Sequence, residues 1–411
     1  MARDYKFLTV DEIPDYIRTH PAIAERIDAE ALTSIEEVGD GNLNLVFIAH
    51  DANGQGVVLK QALPYVRMTG EGWPMTPERS RHEVQSLQLH GSLTPELVVE
   101  VIQTDPDRYI FAMEDLSDHC VWRSALNRGE VHQGVAEAVG TYIGAVAFGT
   151  SCFGMERMAL ARQQEISVDP EICVITEDLV FTEPWVGADR NAVLPGNEPD
   201  LRAFQADAEF GLAMAEAKYA FFTQGEALIH GDLHTGSIMV RTPEGSDTAD
   251  SVKVFDSEFA FYGPLGYDLG APWANYVIAA ARAYALGEVD RARWCLGLPG
   301  QTWEGFEREL RRRWPDRVDP RLWDEAFLTR LLARWQSEAW LFAAAKMSRR
   351  IVGAAKTTDI EMLDPEVREG AARGVLEFAR AAVRQRRVNS SPAAFARLAQ
   401  DTLGKHAHSH S

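Results

Sequence analysis

The hydrophobic pattern of the chain changes period once, and that change limits the folds open to it. Up to about residue 115 the apolar residues come in short strand-like runs. Beyond about residue 120 they recur at helical spacing, interrupted near 225–260. Ser34-Ile35-Glu36-Glu37-Val38, Leu45-Val46-Phe47-Ile48-Ala49 and Val57-Val58-Leu59-Lys60 read as three strands. Gly39-Asp40-Gly41-Asn42 forms the first turn, and Asp51-Ala52-Asn53-Gly54 is a hairpin signal. A helix is predicted over 76–90. Two further strands are predicted over Leu97–Ile102 and Tyr109–Met113, either side of Asp105-Pro106-Asp107. The order β-β-β-α-β-β followed by helices predicts an α+β, two-lobe chain. The N-lobe is expected over 1–115, the C-lobe over 116–400 and a disordered tail over 401–411. With 411 residues and 46% hydrophobic content, more than one compact unit is expected.

The formal net charge is −20, which argues against nucleic acid or an anionic membrane surface as a partner. Any site for an anionic ligand must then be a local basic exception. Cys120, Cys152, Cys173 and Cys295 stand far apart with no C-x-x-C pair, so they read as reduced, packed thiols. The N-terminus has no apolar h-region, and Ala271–Leu286 is too short and carries Asn275 and Arg282. A cytoplasmic protein is expected.

The strongest chemical signal is the run from Leu228-Ile229-His230-Gly231-Asp232 to Ile238-Met239-Val240. Apolar segments on both sides hold a polar loop between two buried elements. A kinase catalytic loop needs this: a carboxylate fixed against the acceptor hydroxyl, and a metal-facing group five residues later. Asp232 is the candidate base and Ser237 occupies the metal-facing position. Downstream, the strand Val252-Lys253-Val254-Phe255 runs into Asp256-Ser257-Glu258. Residues i and i+2 of an extended chain share a side, and two adjacent carboxylates repel unless a cation lies between them. Asp256 and Glu258 therefore read as a Mg²⁺ pair.

The N-lobe supplies the complementary parts. Gly39-x-Gly41 lets backbone amides approach phosphates, although taken alone an ordinary hairpin turn explains it better. Lys60 closes the third strand and Glu83 lies on the next helix, the order in which a kinase pairs a phosphate-binding lysine with a helical glutamate. Tyr109–Leu116 joins the lobes, so the backbone of Met113 and Glu114 is assigned to the purine of ATP. The order glycine turn, lysine, glutamate, catalytic aspartate, metal aspartate carries more weight than any one motif.

Three runs together resemble the methylthioribose kinase family. They are Gly39-Asp40-Gly41-Asn42-Leu43-Asn44, the stretch His230–Ser237, and Asp256-x-Glu258 followed by Tyr262-Gly263-Pro264-x-Gly266-Tyr267-Asp268-x-Gly270. Ser237 stands where related small-molecule kinases usually carry asparagine, and Glu258 is an added carboxylate; both match that family. The resemblance implies a protein-kinase-like fold, ATP and Mg²⁺ as cofactors, and a sugar acceptor phosphorylated at its anomeric 1-hydroxyl. It also implies a homodimer. It brings Asp40, Asn42 and Asn44 into the nucleotide site and lets Asn44 meet the sugar. From the residues alone Trp73 is a packing residue and Arg349-Arg350 a solvated helix face. The resemblance reverses both: Trp73 and Arg349 contact substrate, and Arg349 and Arg350 stabilise the transferring phosphoryl group.

Overall fold

The computed structural model describes residues 5–39, 43–65, 67 and 70–407. Five antiparallel strands form the N-terminal sheet: β1 (Leu32–Glu37), β2 (Asn44–Asp51), β3 (Gly56–Ala62), β4 (Val101–Asp105) and β5 (Ile110–Glu114), in spatial order β1-β2-β3-β5-β4. Strand periodicity sorts their side chains. Phe47, Ala49, Val57, Leu59, Ile110 and Ala112 face a small core built with Leu8, Ile13, Ile17 and Ile23 from the N-terminal helical turns. Val58, Phe111 and Met113 face the opposite way, into the larger core. Lys60 pairs with Phe111 and Val58 with Met113 across β3 and β5, so the lysine lies on that second face. There it meets the helix Arg79–Leu93, which carries Glu83.

The expected strand over Leu97–Ile102 is corrected: β4 begins at Val101. Leu97–Val99 bond instead to the C-lobe, where Val98 forms an isolated parallel bridge with Val254. The Val99 amide donates to the Val254 carbonyl at 3.0 Å, and the Val254 amide to the Leu97 carbonyl at 2.8 Å. This segment is a seam between the lobes, so its apolar residues satisfy two partners.

The C-lobe is mainly helical. Its central helix, Leu265–Ala285, is buried at every position except Arg282, which explains the apolar stretch noted in the sequence. It packs on the helix Glu325–Val352 through glycine. A Cβ on Gly270 would lie 2.6 Å from the Ala339 carbonyl oxygen, so only glycine permits this approach. The helix Pro392–Leu403 continues through 401–403 because Thr402 and Leu403 are buried, and His406 Nε2 lies 2.9 Å from Glu377. Among the described residues no helix is long and apolar enough to cross a membrane.

Two small hairpin-like pairings position the chemistry. Ala227–Ile229 pairs with Phe261–Gly263, and Ile238–Arg241 pairs with Ser251–Val254. The His230–Ser237 loop and the Phe255–Ala260 loop leave these strands side by side.

Candidate active site

The candidate catalytic loop is built around a buried histidine and a buried aspartate. The Asp268 carboxylate, in the first turn of Leu265–Ala285, accepts the backbone N–H groups of His230 (2.6 Å) and Gly231 (3.1 Å). His230 Nε2 donates to the Phe255 carbonyl at 2.9 Å, so its Nδ1 is free to accept the Asp232 amide at 3.3 Å. Gly231 has φ +79°, and a Cβ there would overlap the Phe259 carbonyl oxygen. Glycine is thus required both by conformation and by space. The result is a rigid platform that presents Asp232 half-buried at the cleft.

Asp232 sits among cations. Its Oδ1 accepts from Lys346 Nζ, and among the described residues its Oδ2 has only His234 Nε2 at 3.5 Å. Burial would raise this carboxyl, but Lys346, His234, Arg349 and Arg350 outweigh burial and hold it well below the usual range. Arg349 and Arg350 occupy the last turn of Glu325–Val352, where the helix dipole favours positive charge. Arg349 is buried, and its Nε finds no hydrogen-bond partner among the described residues. Burial, then the Arg349 charge, lowers Arg350.

Across the cleft, Lys60 Nζ donates to Glu83 Oε1 at 2.7 Å and also bonds Asp256 Oδ1. Burial works against the Lys60 charge, yet Asp256, Glu83 and Glu258 together raise its affinity for the proton. Glu83, Asp256 and Glu258 each bring an oxygen within 4.8 Å of the others. Burial first, then mutual repulsion, raises Glu83 and Glu258. Such a cluster fits a divalent cation, which would relieve that repulsion.

Asp256 and Glu258 are neighbours as expected, but by a different geometry from strand alternation. Asp256 has φ +65°, so the chain turns there instead of staying extended. Aspartate tolerates this left-handed conformation better than most residues. The turn, not strand alternation, brings Glu258 back beside Asp256. Glu258 Oε2 accepts from Asn44 Nδ2 at 2.8 Å, which joins the predicted nucleotide-site asparagine to the acidic cluster.

Other expected residues are placed differently. Ser237 Oγ is buried, 3.1 Å from both the Asp232 carbonyl oxygen and His234 Nδ1, so it braces the loop and its hydroxyl must turn to reach a metal. The Glu114 amide donates to the Glu100 carbonyl at 3.0 Å, which removes it as a purine donor. Met113 lies within the sheet, its side chain on the Lys60 face. Trp73 is half-buried beneath Arg190, whose guanidinium lies 5.3 Å from the ring centroid. It lines a cavity of about 380 Å³ with Met75, Val174, Ile175 and Asp178. A Cβ on Gly39 would meet nothing within 4 Å among the described residues, while Asp40, Gly41 and Asn42 lie outside them.

Two residues escaped the sequence reading. Arg79 is buried and donates to the Leu63 carbonyl at 2.6 Å and to Asn44 Oδ1 at 3.3 Å, fixing the asparagine that holds Glu258. Lys346 is buried against Asp232. The available signal was its spacing: 346, 349 and 350 are i, i+3 and i+4, one face of a helix, in an otherwise apolar stretch.

Comparison with known proteins bears on this constellation. The model of the "phosphotransferase enzyme family" matches residues 34–300. A methylthioribose kinase of Yersinia pseudotuberculosis serotype IB is 36% identical over 396 residues, covering 93% of each chain. The methylthioribose kinase of Yersinia enterocolitica is 34% identical over 415 residues, covering 98% of this chain and 100% of its own. The chain belongs to the methylthioribose kinase family. A solved spectinomycin phosphotransferase, with ADP and spectinomycin bound, aligns over 92% of this chain and 99% of its own. Its identity is 14% and its TM-score 0.43. In this methylthioribose kinase family member, Asp232 stands on one side of the cleft and the lysine–carboxylate cluster on the other.

Proposed function

We propose that the protein transfers the γ-phosphoryl group of ATP to the 1-hydroxyl of 5-methylthioribose, giving 5-methylthioribose 1-phosphate and ADP. The observation that carries this reading is the Asp232 carboxylate, held ionised by cations, with Oδ2 unbonded among the described residues. Asp232 Oδ2 takes the proton of the acceptor hydroxyl as its oxygen bonds to the γ-phosphorus. The bond from that phosphorus to the bridging oxygen breaks, and ADP leaves. Such transfer depends mostly on positioning and charge stabilisation, so the surrounding cations matter more than the strength of the base. Lys60 serves the nucleotide phosphates, steadied by Glu83. Asp256 and Glu258 would hold Mg²⁺, with Ser237 as a further oxygen, and the ion's charge would neutralise the β- and γ-phosphate oxygens. Arg349 and Arg350 stabilise the phosphoryl group in flight.

The charge at the acceptor end favours a neutral sugar. Lys346, Arg349 and Arg350 would repel a polycationic aminoglycoside or choline. The test is ADP release with ATP and Mg²⁺ against 5-methylthioribose, 5-deoxyribose, ribose, choline and kanamycin. The expected result is dominant turnover of 5-methylthioribose and none of the cations. A preference for 5-deoxyribose would keep the mechanism and overturn 5-methylthioribose as the acceptor. ATP binding without turnover of any acceptor would make the protein a nucleotide-binding scaffold instead.

The protein is proposed to act in the cytoplasm as a homodimer. The helix Ala208–Thr223 supports the second part: Leu212, Ala215, Tyr219 and Phe222 are exposed at heptad spacing along one face. Light scattering is expected to give twice the chain mass of 45.7 kDa, reduced to one chain by Phe222→Glu. A monomeric wild-type protein would remove this proposal.

A further inference from the structure

We infer that Lys346 is a positioning residue for the catalytic base: its ammonium group holds Asp232 Oδ1 so that Oδ2 alone faces the acceptor hydroxyl. This rests on the function proposed above and adds a group to it.

Three observations support the assignment. Lys346 is 2% exposed, deep in the C-lobe, where a cation is costly unless it is paired. Its Nζ reaches Asp232 Oδ1 and donates to the Tyr267 hydroxyl at 3.3 Å; no other hydrogen bond is made among the described residues. Nζ also lies 5.1 Å from the Tyr267 ring centroid, so the ring walls one side of the ammonium. The stem is thus fixed by its helix and the head by Tyr267, and the carboxylate has one orientation left to it. A carboxylate free to rotate would offer either oxygen, or both, to the acceptor. Near-attack geometry is sensitive to displacements of this size.

The groups facing Lys346 are Asp232 and His234 on the catalytic loop, Tyr267 and Asp268 on Leu265–Ala285, and Arg349 and Arg350 on its own helix. Burial, opposed by Asp232 but helped by Arg349 and Arg350, lowers the Lys346 ammonium to about 8. Asp232 stays ionised throughout. Raising the pH through about 8 therefore removes the proton from Lys346, releases Oδ1 and lowers turnover while ATP binding persists.

The experiment compares wild type, Lys346→Arg and Lys346→Met from pH 6.5 to 10, using the acceptor that turns over fastest. In the wild type kcat is expected to fall with an apparent pKa near 8. Lys346→Met should lose about 10²-fold in kcat, with the KM for ATP little changed. Lys346→Arg should keep part of the activity and lose the alkaline limb, because guanidinium does not titrate in this range. An NMR titration of the lysine side chains needs no substrate and separates this inference from the proposed reaction. Lys346 should titrate near 8 in the wild type and lower in Asp232→Asn, where its counterion is gone. A flat wild-type profile to pH 10, a limb unmoved by Lys346→Arg, or a Lys346 titration unaffected by Asp232→Asn would overturn the inference.

Discussion

Asp232→Asn is expected to lower kcat by about 10²–10⁴-fold, the range that a positioned proton acceptor supplies, while ATP binding is retained. Asparagine keeps the shape of the side chain and the loop that carries it. The Asp268 bonds to the His230 and Gly231 amides do not involve the 232 side chain, so the platform should survive. Two things are lost. An amide cannot take the acceptor proton, and Lys346 loses its counterion. A buried cation stripped of its partner costs about 3–5 kcal/mol if it stays charged, so Lys346 should shed its proton instead. The variant should therefore show a modest drop in Tm, an intact thermal shift with ATP, and turnover near background. Wild-type turnover would show that the base lies elsewhere.

The second large effect is expected at the acidic cluster. Glu258→Gln should raise the Mg²⁺ concentration for half-maximal activity by at least about tenfold, with a smaller change in ATP affinity. Glutamine can still accept from Asn44 through its amide oxygen, so the interlobe contact at 2.8 Å is preserved in kind. The removed feature is one of three carboxyl groups grouped within 4.8 Å. Asp256→Asn should be more severe, since Asp256 also bonds Lys60. Mn²⁺ binding, followed by paramagnetic relaxation without substrate, gives a readout independent of turnover and should weaken in both variants. An unchanged metal requirement in Glu258→Gln would take Glu258 out of the metal site.

The parts of the site legible in the sequence were those marked by local pattern. Asp232 and Asp256 follow closely on short apolar strands, and Lys60 lies within β3, so alternation and turn residues located them. Glu83 followed from helical spacing and the Lys60–Glu83 contact is present. The parts that stayed hidden depend on distant chain segments. Lys346 meets Asp232 across 114 residues, and Arg79 reaches Asn44 across 35. No window of periodicity contains both members of such a pair. Local geometry also misled at Asp256, because a single left-handed residue turned what alternation treats as a strand. The purine assignment loses the Glu114 amide for a different reason: element order placed the connector, but not which of its amides was already bonded. The Leu97–Val99 segment looked like an ordinary strand because an interlobe seam and a sheet strand need the same apolar residues.

The most direct measurement is ³¹P and ¹H NMR of the product formed from 5-methylthioribose, ATP and Mg²⁺. The account predicts one new phosphate resonance coupled to the anomeric proton, growing in step with ADP and absent with Asp232→Asn. Phosphate on another hydroxyl, or ADP with inorganic phosphate alone, would contradict it.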